Sequence, residues 1–292
     1  IGATAAQLAD LARLRTHTER QHESLPVTVG VKDDEAFEIL ELLAGVLRQT
    51  GAALRAAGSE SLGAWVHEAL VKADGSAGAL VHDVRPFFLS LDALKTHLLL
   101  ERCADARPSQ LASTFPAFCD VRIIDGEPVY LLKKALWLAT VVSLRFKGEN
   151  VAFEVPALDS VPVFADMSSE CVRLSLFLHG EPALTRASST ALLIHHGILS
   201  LSSSTDPALA ALSLAAPDTL VLSVDSATRL RASAVTACAT IVKRAHELSG
   251  DEGRGWLAGW TEQQLDGWLW DQGKREELRK VNRVAERGTV FY

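Results

Sequence analysis

Apolar residues recur every three to four positions through most of this 292-residue chain. This period is typical of amphipathic helices that bury one face. Acids at 33–35 favour a helix start there, because they lie at the positive end of the helix dipole. The stripe that follows runs towards Gly58 and consists of Phe37, Leu40, Leu43, Val46 and Leu47. Similar patterns predict helices at 61–71, 76–84, 91–103, 133–144 and 231–248, and one that Thr261 caps.

One segment interrupts the helical pattern. Residues 121–124 and 128–131 are mostly apolar and partly β-branched, and the Asp125-Gly126 pair lies between them. An Asp-Gly pair favours the tight turn of a β-hairpin. The helix expected next, at 133–144, is so apolar that we expect it to be buried. Because no long linker divides the chain, the sequence predicts a single domain over 1–292. Its fold class is mainly α, with a small β-hairpin inset.

Composition narrows the range of ligands. The formal net charge is −7, which argues against a broad duplex nucleic-acid surface, because such surfaces neutralise phosphates with many cations. The longest apolar run, 135–144, is about half the length of a membrane span, so no membrane association is expected. The four cysteines form no C-x-x-C pair, which predicts reduced thiols and no structural metal.

The cellular location is expected to be intracellular. Reduced thiols favour this compartment, and no secretory signal pattern is visible. Met167 is the only methionine, so residue 1 is not a translation start, and we expect an N-terminal part to be missing. The expected location is cytoplasmic, or an organelle if that part carries a targeting segment.

Seven short segments resemble one protein family in order and spacing. The chain carries LDGWLWD at 265–271 and ends in Phe291-Tyr292. Upstream it carries FPAFCD at 115–120, LKKA at 132–135, FAD at 164–166, ALLIHHGIL at 191–199 and LRA at 230–232. Together these segments resemble the queuosine salvage family, the queuosine 5′-phosphate N-glycosylases. The resemblance covers residues from about 36 to 292 and implies a DNA-glycosylase-like helical fold.

The resemblance also implies an activity, the hydrolysis of queuosine 5′-phosphate that releases queuine for tRNA modification. Breaking an N-glycosidic bond builds positive charge on the sugar, which a carboxylate near C1′ can stabilise. Asp166 is the expected catalytic residue because it ends the most telling motif, FAD. The alternative is an Asp that caps the following helix. No metal or organic cofactor is implied.

Seven further residues are candidates for binding the nucleotide. A 5′-phosphate needs Lys or Arg, although each such residue could equally be a solvated surface charge. Two tryptophans could stack on the base. Being two apart on a helix, they face different ways, and one is expected to lie in the core. Two acids are second-rank candidates whose alternative role is turn or cap chemistry. These residues are Lys133, Lys134 and Arg231 for the phosphate, Trp268 and Trp270 for the base, and the acids Asp120 and Asp266.

Departures from the family pattern keep a second hypothesis open. Met167 stands in place of a Tyr, and Leu136, Val141 and Ser143 replace polar or aromatic residues. Residues 167–190 form an insertion that we expect to pack beside the pocket or to contact a protein partner. The chain is therefore either an active N-glycosidase for a modified nucleotide or a degenerate pseudoenzyme. The second would be a structural subunit of a larger assembly, such as a ribonucleoprotein particle. A third hypothesis, an unrelated helical interaction module, requires the ordered matches to be chance.

Overall fold

The computed structural model describes residues 2–81, 110–158, 161–162, 188–200 and 219–278, together with 281, 283–286, 288–289 and 291. These parts of the chain are mainly helical, as predicted. The helix expected at 91–103 lies outside them. The helices are α1 (Ala5–Ala12), α2 (Asp34–Ala56), α3 (Leu62–Ala73), α4 (Ala77–Val81), α5 (Leu111–Thr114), α6 (Lys133–Phe146), α7 (Ser189–His195), α8 (Val224–Leu248) and α9 (Glu262–Gln272).

Side-chain caps define where several helices begin. The Asp33 carboxylate accepts a hydrogen bond from the amide of Ala36, and α2 starts at the predicted place. Thr261 and Gln264 form a reciprocal capping box at the start of α9, which confirms the predicted cap. Helix α8 starts at Val224, seven residues before the predicted start, because Ser223 supplies a cap that the apolar pattern does not reveal.

The predicted hairpin is confirmed. Strands β3 (Val121–Ile124) and β4 (Glu127–Tyr130) pair in antiparallel register. Asp125 and Gly126 at the turn have φ values of 54° and 83°. Positive φ at both central residues is the requirement of a type I′ turn, and Asp-Gly tolerates it well.

Two further strand pairs were not predicted. Strands β1 (His17–Gln21) and β2 (Thr28–Lys32) form a second antiparallel hairpin, and β5 (Thr219–Val221) pairs in parallel with β6 (Arg283–Ala285). Strand β1 has the sequence HTERQ, and all five of its side chains are exposed. It therefore lacks the alternation of apolar and polar residues from which a strand is predicted. Strands β5 and β6 are three residues long and far apart in sequence, which leaves no local signal.

The buried apolar residues form two main clusters. The first, here the α3–α6 cluster, packs side chains of α3, α4, α5 and α6 around Phe115, whose ring meets Trp65 edge to face at 4.7 Å. The second, here the α7–α9 cluster, joins α7, α8 and α9. Leu131 belongs to the α7–α9 cluster and Leu132 to the α3–α6 cluster, so the chain passes from one to the other within a single peptide unit.

Helix α6 differs from its prediction as a buried helix. One side of it is buried, with Ala135 and Ala139 fully enclosed. On the other side, Trp137, Val141 and Leu144 are 55%, 38% and 65% exposed. The prediction was wrong because an apolar run without charged positions does not show which face meets solvent. No helix in the described ranges is long and apolar enough to cross a lipid bilayer.

Candidate functional site

The predicted catalytic residue, Asp166, lies outside the described residues, and so does 167–187. The role of Asp166 therefore stays a prediction. The last residues assigned to the insertion, 188–190, are described. They form the start of α7, where Ser188 caps the amide of Ala191 and Thr190 is fully buried. The expectation that the insertion packs beside the pocket or contacts a partner stays a prediction.

Asp120 and Arg231 form a buried ion pair. Asp120 lies between the 3-10 turn at Pro116–Phe118 and strand β3, and Arg231 projects from α8. The two guanidinium Nη atoms each donate to one carboxylate oxygen, with Nη1–Oδ1 at 3.4 Å. The side chain of Arg231 is only 2% exposed and that of Asp120 only 3%. This bidentate geometry joins two of the segments that carry the family resemblance.

Two further charged residues extend this pair into a cluster. Glu286, which follows β6, is buried, and its Oε1 lies 3.7 Å from Nη2 of Arg122 on β3. Burial raises the pKa of the Glu286 carboxyl, an effect that the guanidinium groups of Arg122 and Arg231 oppose and the Asp120 carboxylate reinforces. The Arg122 guanidinium also lies 5.5 Å from the centre of the Phe291 ring. We refer to Asp120, Arg122, Arg231 and Glu286 as the charge cluster.

The charge cluster changes how two predicted substrate residues are understood. The guanidinium of Arg231 is bound by Asp120 and shielded from solvent. The backbone carbonyl of Asp120 accepts from the amide of Leu131 at 3.0 Å and from that of Leu132 at 3.4 Å, which closes the base of the hairpin. In this structure both residues stabilise the junction between the hairpin and α8.

Lys133 and Lys134 occupy the first turn of α6 and are half-buried. The residue before them, Leu132, adopts a left-handed conformation with φ of 48° and offers no side-chain cap. The N-terminal end of a helix carries a partial positive charge and unsatisfied amides. Both lysines therefore lie at the positive end of the helix dipole, next to the chain segment that is hydrogen-bonded to the Asp120 carbonyl.

Asp266 lies at a different place, in the middle of α9. Its Oδ1 accepts a hydrogen bond of 3.1 Å from Ser189 Oγ on α7. The neighbouring thiol of Cys238 on α8 has its pKa raised to about 12, first by burial and then by the charges of Asp266 and Glu262. Cys238 is thus a protonated thiol at neutral pH and not a nucleophile.

The two candidate tryptophans are both on the surface. Trp268 is 45% exposed and Trp270 is 44% exposed. The ammonium of Lys274 lies 3.1 Å from the centre of the Trp270 ring. The expectation that one of the two lies in the core was wrong, because Leu265 and Leu269 occupy the buried face of α9.

The structure thus brings together Asp120, Arg231 and the start of α6, and places Asp266 elsewhere. Asp266 lies near Cys238, which is seven residues from Arg231 on α8. This spacing separates the two sites by about 10 Å along the helix axis. The sequence reading missed Glu286 and Arg122. No periodic signal could have found them, because their contact depends on the pairing of β5 with β6. Among the described residues no group of His, Cys, Asp and Glu is arranged to hold a metal ion.

Comparison of the chain with known protein families gave no matching family model, and comparison with curated proteins gave no match either. The resemblance to the queuosine salvage family therefore rests on the ordered segments described above.

Proposed function

We propose that the protein is a divergent member of the queuosine salvage family that binds a modified nucleoside 5′-phosphate and hydrolyses its N-glycosidic bond. The observation that supports this proposal is the start of α6. There Lys133 and Lys134 lie at an N-terminal helix end that has no side-chain cap. Helix N-termini bind phosphate through backbone amides and the helix dipole, and two ammonium groups strengthen the attraction.

The reaction needs little beyond binding and one carboxylate. The bond between C1′ and the base nitrogen breaks, water supplies the oxygen that bonds to C1′, and a water proton ends on the released base. In this proposal Asp166 stabilises the positive charge that develops on the sugar or accepts the water proton. The lysines hold the phosphate and so position C1′, which lowers the entropic cost of the reaction.

The test is hydrolysis of queuosine 5′-phosphate, with release of queuine followed by mass spectrometry. We expect turnover by the wild-type protein, a loss of about 100-fold or more for Asp166→Asn, and weaker substrate binding for Lys133→Met with Lys134→Met. Lys147→Met is the matched control, because Lys147 is an exposed lysine just beyond the other end of α6. Hydrolysis unaffected by Asp166→Asn would remove that residue from the mechanism.

The burial of Asp120 and Arg231 favours a second candidate function. Because these matched residues pair with each other in the core, their retention is explained by the fold alone. Val141 is exposed and Ser143 buried, so two positions that depart from the family pattern share no face of α6. A degenerate family member, acting as a structural subunit of a larger protein or ribonucleoprotein assembly, would keep these features.

The two candidates differ in their response to queuosine 5′-phosphate. A ligand at about 100-fold its dissociation constant adds roughly 2.7 kcal/mol to the unfolding free energy. We expect a clear rise in melting temperature for the nucleotide-binding protein. If the melting temperature is unchanged and no queuine appears, the catalytic proposal fails and the subunit proposal is supported.

A further inference from the structure

Helix α6 carries an apolar surface that its own packing does not use. Trp137, Val141 and Leu144 are spaced at i, i+4 and i+7, so they form one stripe along the helix. All three are exposed, Trp137 and Leu144 by more than half and Val141 by 38%. We call this stripe the α6 face. An apolar stripe of this spacing has the form of a helix–helix contact.

The charges on α6 are all of one sign. The helix sequence KKALWLATVVSLRF contains Lys133, Lys134 and Arg145 but no Asp or Glu, and Lys147 follows directly. The chain as a whole has a net charge of −7. A cation near the C-terminal end is favourable for the helix, but two lysines in its first turn are not. The α6 face is therefore apolar along its length and basic at both ends.

We propose that the α6 face docks an amphipathic helix of another protein, in which acidic residues flank the apolar stripe. The apolar stripes would pack together, and the acids of the partner would lie against the basic ends of α6. The apolar stripe does not include Lys133, Lys134 or Asp166, but its basic N-terminal end consists of the two lysines of the proposed phosphate site.

The distribution of charge argues against a second copy of this chain as the occupant. If two α6 helices packed in parallel, each basic end would meet the same basic end of its partner. If they packed antiparallel, Lys133 and Lys134 would meet Arg145. Either orientation places like charges together with no acid on α6 to separate them, and like-charge contacts disfavour association.

The surroundings of the α6 face argue for a helix rather than a bilayer or an RNA strand. Thr140, beside the stripe, receives a hydrogen bond of 3.4 Å from Gln263 of α9, so a second helix flanks the face on one side. A partner helix can lie along a stripe that another helix flanks, whereas apolar residues must protrude from the protein surface to enter a bilayer. An RNA strand carries phosphates along its whole length, whereas the middle of the α6 face is apolar and only its two ends carry cations.

The test uses two fluorescent peptides of about 20 residues, long enough to form a helix. Both carry the same leucine stripe, and the flanking residues are Glu in one and Lys in the other. Binding to the full chain is measured by fluorescence anisotropy. We expect the Glu peptide to bind at least about tenfold more tightly than the Lys peptide, and high salt to reduce the difference.

Variants locate the binding surface. We expect Trp137→Gln, and independently Leu144→Gln, to weaken Glu-peptide binding about tenfold, as truncation of a central contact residue does. Trp256→Gln is the matched control, because Trp256 is a tryptophan 65% exposed in the 3-10 turn at Gly255–Gly259. It should bind the Glu peptide as the wild type does. Circular dichroism confirms that each variant is folded.

Several outcomes would overturn the proposal. One is equal or tighter binding of the Lys peptide, and another is an equal loss for Trp256→Gln and Trp137→Gln. Tighter binding to phosphatidylcholine–phosphatidylserine vesicles or to an oligouridine, lost in Trp137→Gln, would assign the face to lipid or RNA instead. Trp137 and Leu144 are not among the proposed substrate residues, and peptide binding is measured without turnover of queuosine 5′-phosphate, so the two proposals can fail separately.

Discussion

The buried pair of Asp120 and Arg231 has an exposed counterpart two residues away on α8, where Arg229 donates to Asp125 at 2.7 Å. Both pairs join α8 to the segment around the β3–β4 hairpin, but only the first is shielded from water. Removing one partner of a buried pair leaves a charge that neither water nor protein compensates. Exposed pairs contribute little, because water and salt screen them.

We therefore expect Arg231→Met to lower the free energy of unfolding by about 3–5 kcal/mol. Arg229→Met makes the same chemical change on the exposed pair and should have a much smaller effect. Urea denaturation of both variants beside the wild type measures the difference. If the free energy of unfolding fell equally in the two variants, the burial of Arg231 would make no difference to the stability that its ion pair provides.

Glu286 gives the charge cluster a dependence on pH. Because its pKa is raised above 4.5 in the folded protein, the folded state binds a proton more readily than the unfolded state. The favourable contribution is complete below pH 4.5 and is lost as the pH rises through the raised pKa. Asp120, Arg122 and Arg231 are the charged groups that act on this carboxyl.

The variant Glu286→Gln keeps the shape of the side chain and removes its titration. The unfolding free energy of the variant minus that of the wild type should become more positive as the pH rises from below 4.5 towards neutrality. Urea denaturation at a series of pH values provides both numbers. A difference that stays constant, or falls, with rising pH would contradict a raised pKa for Glu286.

At the scale of elements, we expect the same substitution, Gly→Ala, to have opposite effects on stability at two positions. Gly126, in the hairpin turn, has φ of 83°, and Gly267 lies inside α9. A Cβ at either position would meet no atom within 4 Å, so only backbone preference decides the result. Gly126→Ala should cost about 1–2 kcal/mol, because alanine disfavours positive φ. Gly267→Ala should stabilise by up to about 1 kcal/mol. Thermal melts with the same sign for both would contradict this.

Elements that depend on local chemistry could be predicted from the sequence. The Asp125-Gly126 turn and the Thr261 cap each rest on residues within a few positions of one another, and the structure has both. Elements that depend on distant residues could not. Strand β5 forms only because β6 pairs with it, and the exposed face of α6 is defined by which neighbours pack on the other side.

In the candidate site, too, features that depend on distant residues could not be predicted. The resemblance singled out Asp120 and Arg231 but gave them a substrate role, whereas their pairing depends on a contact across 111 residues. Trp268 and Trp270 were candidates to stack on the base, with one of them expected in the core, and both lie on the surface. Residue identity indicates which chemistry a side chain can perform. Burial and partners decide whether it is free to perform it, and those come from packing.

At the scale of the whole molecule, the junction at Leu131 and Leu132 links the two main clusters. These neighbours pack into different clusters, and both amides donate to the carbonyl of Asp120. We expect the α3–α6 and α7–α9 clusters to unfold in one transition, as the predicted single domain requires. Hydrogen exchange should give the most protected amides of α6 and α8 the same opening free energy. Separate values would divide the chain into two units.

The contact between Asp120 and Arg231 also has a consequence for the time course of folding. Its two residues are 111 positions apart, so a large loop must close before the guanidinium can reach the carboxylate. Closure over such a distance is costly before other contacts compensate for it, which places this pair late on the folding pathway. Contacts absent from the transition state act on the unfolding rate and leave the folding rate nearly unchanged. The buried pair would then chiefly slow unfolding and lengthen the lifetime of the native state.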